Sequence, residues 1–410
     1  SRGGHRFLAA MIEQLFADEV REVQGLYGPL RISERLLQRI WERRDYSESR
    51  LRTLDGRRIR VLRTGSWNHL EGPDFLDATL EIEGELVRGD VEIHFRSRNW
   101  REHGHHLDPA FSSVVLHVVL FLPDSGEAEA VTSKGGRPCV CALLEALDCG
   151  LEEYAEQEAV RQLCGGDAAD LSEAFAILPA EEGDEHLRRI AKGRWKAKVN
   201  WAATRLKGTT WEEVNHQVLL EVLGYRRNRA VMAAIALGHP LSSFCENPPD
   251  PDELFVARQG EWKLAGGRPA NHPCLRLQQY VQMVSRKPNW PDLARESSLG
   301  LEPGGEDDET SRFRKRRGMP RKREALAEGA LGGAIGGSRL NTWVVDGLLP
   351  LVTADTGQDL FGWWFHWYAG DAPEGLVRFL REIGVTGKPS GPLCNGWVQG
   401  GLGAVTARLL

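Results

Sequence analysis

Between Ile59 and Leu122 the apolar residues follow a repeat of two, and that repeat confines this part of the chain to a sheet. Ile59 and Val61 alternate with arginines. Ala78, Leu80 and Ile82 alternate with Asp77, Thr79 and Glu81, and Val91, Ile93 and Phe95 alternate with Glu92, His94 and Arg96. Successive side chains of a strand leave opposite faces, so such alternation marks strands with one buried face. Val114 to Leu122 (VVLHVVLFL) is almost continuously apolar, as a central strand covered on both faces is. Gly84 supplies a turn, and Asn99 to Ala110 is a polar connection with room for a short helix. Lys134-Gly135-Gly136 reads as a hairpin-like turn into a last strand near Cys139 to Leu143.

Around this block the spacing turns helical. Phe7 to Val23 carries a helical stripe that Gly25 and Gly28-Pro29 end. Ser33 reads as the N-cap of a helix to Arg44 with Leu36, Leu37, Ile40 and Trp41 on one face. From Leu151 onward helices dominate. Glu181 to Leu206 is long. Thr210 to Glu213 is a capping box whose helix stops at Gly224, and Asn228 to Leu237 is stopped by Gly238. Residues 262–284 feed a polar loop into another helix, and Leu340 to Leu410 reads as helices rich in aromatics, among them Trp363, Trp364, Phe365 and Trp367. The expected class is α+β. A mixed sheet with flanking helices in residues 1–150 is followed by a helical domain at 151–286. Residues 287–338 are expected as a flexible charged linker or loop, and 339–410 as a helical region packing on the preceding domains.

Composition narrows the function classes. A net charge of −6 gives no global pull toward nucleic acid or an anionic membrane, so any such contact needs a local basic patch. No run of about 18 apolar residues is present, so no membrane span is expected, and no secretory signal is visible. The seven cysteines are scattered without paired CxxC spacing, which argues against a structural zinc site of that type and suits a reducing, cytoplasmic compartment. Cys139 and Cys141, a lone CxC, read as core thiols. Walker and dinucleotide glycine loops are absent, as is a Gly-x-Ser-x-Gly elbow.

The densest chemistry lies in Gly65 to His106. Asp74 sits at the mouth of one strand, and Glu92 and His94 leave the same face of the next, so the two carboxylates are expected to converge. Carboxylates that close repel unless a cation lies between them, and Mg²⁺ or Mn²⁺ prefers such oxygen ligands. His94, with its ordinary pKa near about 6.5, is placed to orient or deprotonate water. His103, His105, His106 and His117 form a second cluster, within which His103-Gly104-His105 has Asp108 nearby. Its imidazoles suit a transition metal or a supporting role beside the carboxylates. Asn68 is a further supporting residue, His117 reads as a hydrogen-bonded core histidine, and Trp100 as a core anchor.

Pro73-Asp74 followed by Glu92-Ile93-His94, in an α-β-β-β-α-β order, resembles the PD-(D/E)xK phosphodiesterase superfamily over about the first 145 residues, which implies a restriction-endonuclease-like mixed sheet there. The resemblance implies a Mg²⁺- or Mn²⁺-dependent phosphodiesterase or nuclease, with Asp74 and Glu92 as metal ligands and His94 at the family's lysine. That departure removes a fixed positive charge, which Arg96 on the same face can partly replace. An acidic residue of the first helix, Glu42 or Glu34, would complete the site, and Glu42 is nearer the helix end that leads into the sheet. The alternative is a non-catalytic nucleic-acid-binding or scaffold protein on the same fold. The chain as a whole also resembles an uncharacterised bacterial family of unknown function. The residues that carry this are Asn68 with Gly72 to Phe75, Gly89 to His94, Trp100, His103 to His105, Asp108, Leu116 to Val119, Arg268 to Asn271, and Asn395-Gly396 with Gln399-Gly400.

Nucleic acid, if bound, is expected at basic residues elsewhere. Arg312 to Arg323 is dense in Lys and Arg, with Arg314, Lys315, Arg316 and Arg317 at its centre, and reads either as a phosphate contact or as a solvated loop neutralised by Glu306 to Glu309. Arg268 and Arg276 flank a proline-containing loop and are placed to grip phosphate or to cap helices.

Overall fold

In a computed structural model the described residues are 20–25, 28–124, 130–163, 180–264, 269–305, 307–370, 372–385 and 392–409. They divide into two compact units, Pro29–Gly150 and Leu151–Leu409.

The first unit is a mixed sheet. Strands β1 (Val20–Gly25) and β2 (Gly28–Ser33) pair with each other. Helix α1 (Glu34–Arg43) follows, then β3 (Ile59–Arg63), β4 (Ser66–Trp67), β5 (Phe75–Ile82), β6 (Glu85–His94), helix α2 (Asn99–Glu102), β7 (Val114–Val119) and β8 (Cys139–Ala142). The six-stranded sheet runs β3-β5-β6-β7-β8, with β4 also on β5. Pairing is antiparallel from β3 to β6 and parallel from β6 through β7 to β8. The turn at Lys134-Gly135-Gly136 therefore does not make a hairpin, because the strand it feeds runs parallel to its neighbour β7 and needs a crossover to reach it. β7 is the central strand its composition predicts, with Leu116, Val118 and Val119 fully buried. The helix expected over residues 7–23 lies mostly outside the described residues, and its last part, from Val20, is strand.

Two backbone devices shape β6. Asp77 takes a left-handed φ of 56° where the β5–β6 register shifts, and its N–H is collected by Asp90 Oδ1 at 3.1 Å. Gly89 lies where β7 comes close. A Cβ there would stand 2.5 Å from the Ser113 carbonyl oxygen, so only glycine lets β6 pass.

The second unit is helical. Its described α-helices include α3 (Leu151–Gln162), α4 (Ala180–Gly208), α5 (Trp211–Leu223), α6 (Tyr225–Gly238), α7 (Leu241–Glu246), α8 (Pro251–Ala257), α9 (Pro273–Arg286) and α10 (Trp290–Leu299). They continue with α11 (Thr310–Arg316), α12 (Met319–Glu324), α13 (Gly337–Trp343), α14 (Leu349–Thr356), α15 (Phe361–His366), α16 (Glu374–Glu382) and α17 (Asn395–Leu409). Residues 287–338, expected as a flexible linker or loop, are largely helical. Trp290, Phe313 and Met319 are fully buried there, which fixes the segment against the core. The pattern of residues hides this because short amphipathic turns anchored by one aromatic each carry little periodicity. Thr210 accepts from the Glu213 N–H as an N-cap should, but Glu213 does not return the bond. Its carboxylate accepts from Leu241 N–H at 2.7 Å and ties α7 to α5.

His216 of α5 is fully buried between two partners. Its Nε2–H donates to the His239 carbonyl at 2.9 Å, so Nδ1 accepts from the Tyr280 hydroxyl at 2.5 Å. Burial, opposed by the His239 bond, pushes its pKa down to about 4. The folded state keeps the ring neutral while the unfolded chain takes up a proton below the ordinary value of about 6.5. This contribution to stability is therefore present above pH ~6.5 and is lost as pH falls toward about 4, by roughly 3 kcal/mol. Denaturant unfolding across that window should show a steep acid slope in the wild type that flattens by about one proton in His216→Gln. Equal slopes in both proteins would assign the acid sensitivity elsewhere.

Candidate metal centre

The site begins with the β5–β6 ladder. Phe75 pairs with Val91, which sets Asp74, just ahead of β5, beside Glu92 and Ile93. Two reciprocal hydrogen bonds result. The Asp74 N–H donates to Glu92 Oε2 at 3.0 Å, and the Ile93 N–H donates to Asp74 Oδ2 at 2.9 Å. Asp74 Oδ1 accepts from Gln38 Nε2 at 2.7 Å, so α1 reaches the same carboxylate. The loop before Asp74 is held by Asn68. Its amide donates to the Glu71 and Pro73 carbonyls, its carbonyl oxygen accepts from the Leu70 N–H, and its backbone N–H donates to the Asp74 carbonyl.

The histidines arrive from α2. Asn99 is fully buried, accepting from the Arg96 N–H and donating to Glu102. Trp100 is buried beside it and donates Nε1–H to the Val131 carbonyl at 3.0 Å. The helix ends at His103, and Gly104 takes a φ of +77°. That glycine turns the chain so that the rings on either side of it face one point. His105 is then clamped against Phe111, their rings 3.8 Å apart and nearly parallel.

His94, at the end of β6 and 1% exposed, is the centre. Its Nε2 lies 3.1 Å from His103 Nδ1, 3.3 Å from His105 Nε2 and 3.3 Å from Glu92 Oε1, and Glu92 Oε1 lies 3.2 Å from His105 Nε2. The three imidazoles offer nitrogens all within 4.8 Å of one another. Donor atoms bound at about 2.0–2.1 Å to one ion in a tetrahedral or octahedral array stand roughly 3.0–3.4 Å apart. The three pairs made by His94 Nε2 and the Glu92–His105 pair fall in that range. On the other side of His94, Nδ1 is 2.9 Å from Nε2 of the fully buried His117. A second imidazole there fixes which nitrogen His94 presents to the centre.

The short Glu92–histidine contacts are not salt bridges. Burial pushes Glu92 up to about 8, against the pull of the Asp74 N–H. Burial, aided by the neighbouring imidazoles, drives His94 well below its ordinary value. Burial takes His105 down to about 4 despite Asp108, and His117 to about 3. The pocket is thus uncharged, with unprotonated imidazoles that offer lone pairs and a Glu92 that keeps its proton, and it suits a cation with nitrogen affinity that displaces that proton. His103 is exposed, so the cluster opens to solvent on that side.

The remaining expected residues divide. Asp108 accepts from the Ala110 N–H and stands near enough to His105 to oppose its shift. Glu42 does not enter the cluster. It is exposed and pairs with Arg39 along α1 at 3.7 Å. The acidic residue that α1 does bring to β6 is Glu34, which accepts from the Phe95 N–H at 3.3 Å. Arg96 lies past the end of β6, over the Phe121 ring and 3.5 Å from Asp124. Gln38 is a site residue that sequence reasoning missed, though it sits one turn beyond Glu34 on the same helix face. In the second unit Arg314 donates to the His366 and Trp367 carbonyls and stacks on Tyr368. Arg316 pairs with Asp308, Arg317 pairs with Glu302, and Lys315 is exposed. Arg268 lies outside the described residues.

Comparison with curated proteins gives no match, and neither does comparison with solved structures. A family model described as "Protein of unknown function (DUF2851)" matches residues 34–254. The match takes in the whole six-stranded sheet, every residue of the histidine cluster and the first helices of the second unit, and on this footing the chain belongs to the DUF2851 family.

Proposed function

We propose that the first unit is a metal-dependent phosphodiesterase acting on nucleic acid, with His94, His103, His105 and Glu92 as the ligand set. The observation that carries this reading is the meeting of three imidazole nitrogens and one carboxylate oxygen about His94 Nε2. The order of Pro73-Asp74, hairpin and Glu92-Ile93-His94 on a mixed sheet supports the phosphodiesterase class. Three nitrogen donors shift the preferred ion from Mg²⁺ toward Mn²⁺ or Zn²⁺. An ion of that kind, when bound, lowers the pKa of water and offsets phosphate charge. The chain's own part is positional. Asp74 fixes the rotamer of Glu92 from its backbone, His117 fixes the ring of His94, and Phe111 with Trp100 holds His105 and keeps water from the inner face.

A second reading has one observation in its favour. Both oxygens of Asp74 already accept bonds from protein groups, Gln38 and Ile93, so Asp74 is built as a brace. On that reading the same metal centre stabilises a nucleic-acid-binding or scaffold protein without cleaving anything. An assay on single- and double-stranded DNA and RNA with Mg²⁺, Mn²⁺ and Zn²⁺ separates the two. Cleavage supported by Mn²⁺ or Zn²⁺ should fall by at least about 100-fold in Glu92→Ala. Equal activity in the variant would mark a contaminant and remove the enzymatic reading.

A further inference from the structure

Helix α4 (Ala180–Gly208) sorts its charges both along and around its axis. Its acidic residues end at Glu185, and from His186 to Gly208 it carries eight Lys or Arg and no Asp or Glu. At about 100° of turn per residue, seven of these eight cations fall on two opposite faces. Arg194, Lys198 and Arg205 share one face, and each meets a carboxylate of another helix turn there. Arg194 pairs with Glu156, Lys198 with Asp346 at 2.8 Å and Arg205 with Glu221 at 2.8 Å. Arg189, Lys192, Lys196 and Lys207 share the other face with Asn200, all five exposed and all within an arc of about 80°.

Among the described residues no carboxylate forms an ion pair with the outer four cations. Arg189 donates to His186 Nδ1 at 2.8 Å, and Lys192 stands 5.5 Å from the Phe361 ring centroid. Of the helices packed on α4, α17 and α15 contain no Asp or Glu, and the one carboxylate of α14, Asp355, is taken by Arg295. Other basic candidates of this unit are engaged within the protein. Arg276 donates to Asn271, Gln279 and the Tyr225 hydroxyl, while Arg316 and Arg317 pair with Asp308 and Glu302. From Arg189 to Lys207 the outer row runs about 27 Å, the reach of a chain of phosphates and not of a single anion. Trp201, 36% exposed, borders the row. An open aromatic face beside a basic track is what an unpaired base stacks on. A membrane surface calls for a band of large apolar side chains, and Trp201 is the one such side chain exposed on α4 among the described residues.

We propose that the outer face of α4 is a track for single-stranded nucleic acid, with Arg189, Lys192, Lys196 and Lys207 on the phosphates and Trp201 under a base. The choice of nucleic acid among polyanions agrees with the substrate class proposed above, while the row of cations stands without the metal centre. The track is tested on the full chain in EDTA. A fluorescein-labelled single-stranded oligonucleotide of mixed sequence, the duplex of the same sequence and labelled polyglutamate are titrated by anisotropy over a range of salt. The proteins are wild type, Lys196→Gln/Lys207→Gln, Lys196→Arg/Lys207→Arg and Trp201→Ala, each shown to be folded by thermal unfolding. The wild type should bind the single strand saturably and more tightly than the duplex or polyglutamate. The double glutamine variant should bind at least about tenfold more weakly, with a salt dependence shallower by about one to two phosphates, and the double arginine variant should restore both. Trp201→Ala should weaken the single strand at least about fivefold and leave the duplex nearly unchanged. The proposal is overturned if the wild type shows no saturable binding, if polyglutamate or the duplex binds as well as the single strand, or if the glutamine variant or Trp201→Ala binds like the wild type. Because divalent metal is excluded, failure here leaves the metal centre and its cleavage assay untouched, and absence of cleavage leaves the track untouched.

Discussion

His94→Ala should strip the chain of a stoichiometric Mn²⁺ or Zn²⁺, lowering affinity by at least about 100-fold. His94 is the one residue whose nitrogen stands within 3.3 Å of every other donor, His103, His105 and Glu92, so its loss opens the set from the middle. Removing an edge ligand costs less. His105→Ala leaves two imidazoles and the carboxylate, and Asp108→Asn, which only touches the field at His105, should stay within a few-fold of wild type. Elemental analysis of dialysed protein and competition against a chromogenic chelator give the comparison directly. Wild-type metal content in His94→Ala would show that the cluster is a set of stacked core histidines and nothing more. The proton competition has a sign that can be followed as well. Glu92 must give up the proton that burial lets it keep to about pH 8, so affinity should climb as pH rises toward that value.

Gly400→Ala is expected to cost about 2–4 kcal/mol of stability, more than most single methyl additions. Its α17 backbone crosses α4 so closely that a Cβ would stand 2.5 Å from the Leu187 carbonyl oxygen. Backbone cannot rotate away as a side chain can, so the two helices must separate. A Cβ on Gly403, one turn on, would overlap Ile190 Cγ2, and one on Gly396, one turn earlier, would overlap the Phe365 ring. The three glycines form one contact line. Chemical denaturation read by tryptophan fluorescence reports the change, since Trp195, Trp364 and Trp397 lie in the same core. An unfolding midpoint unchanged in Gly400→Ala would mean that α17 does not press on α4 in solution.

Much of the first unit is legible in the residues because period-two alternation and buried strand composition act locally. β5 and β7 fall where Ala78 to Ile82 and Val114 to Leu122 place them, within a few residues, while β6 starts at Glu85, well ahead of the Val91 to Phe95 alternation that marks its end. The direction of β8 is not legible. A Gly-Gly turn looks the same whether the next strand folds back beside its predecessor or crosses over to run parallel. At the site, Glu92 and His94 share a face by spacing alone, whereas the arrival of His103 and His105 beside them depends on the αL turn at Gly104 and the buried Asn99 and Trp100 that aim it. Those are tertiary facts with no periodic trace. Glu42 and Glu34 are both acidic candidates on α1, and only packing against β6 selects Glu34. In the second unit the helix stops at Gly224 and Gly238 are readable from glycine chemistry. The left-handed start at Tyr225 is not, since no aromatic residue advertises it.

The crossed bonds between Asp74 and the Glu92–Ile93 segment alter what a knockout there can mean. Alanine at 74 deletes a charge and also the acceptor of the Ile93 N–H and of Gln38, leaving only the backbone bond to Glu92, so loss of activity in Asp74→Ala does not distinguish a carboxylate that touches substrate or ion from one that only holds the strands. Asparagine keeps a side-chain oxygen for the Ile93 N–H, so both crossed bonds survive while the negative charge goes. The comparison of Asp74→Asn with Asp74→Ala thus works as an internal calibration. An active Asp74→Asn assigns this carboxylate to mechanics. A folded, metal-loaded and inactive one assigns it to chemistry.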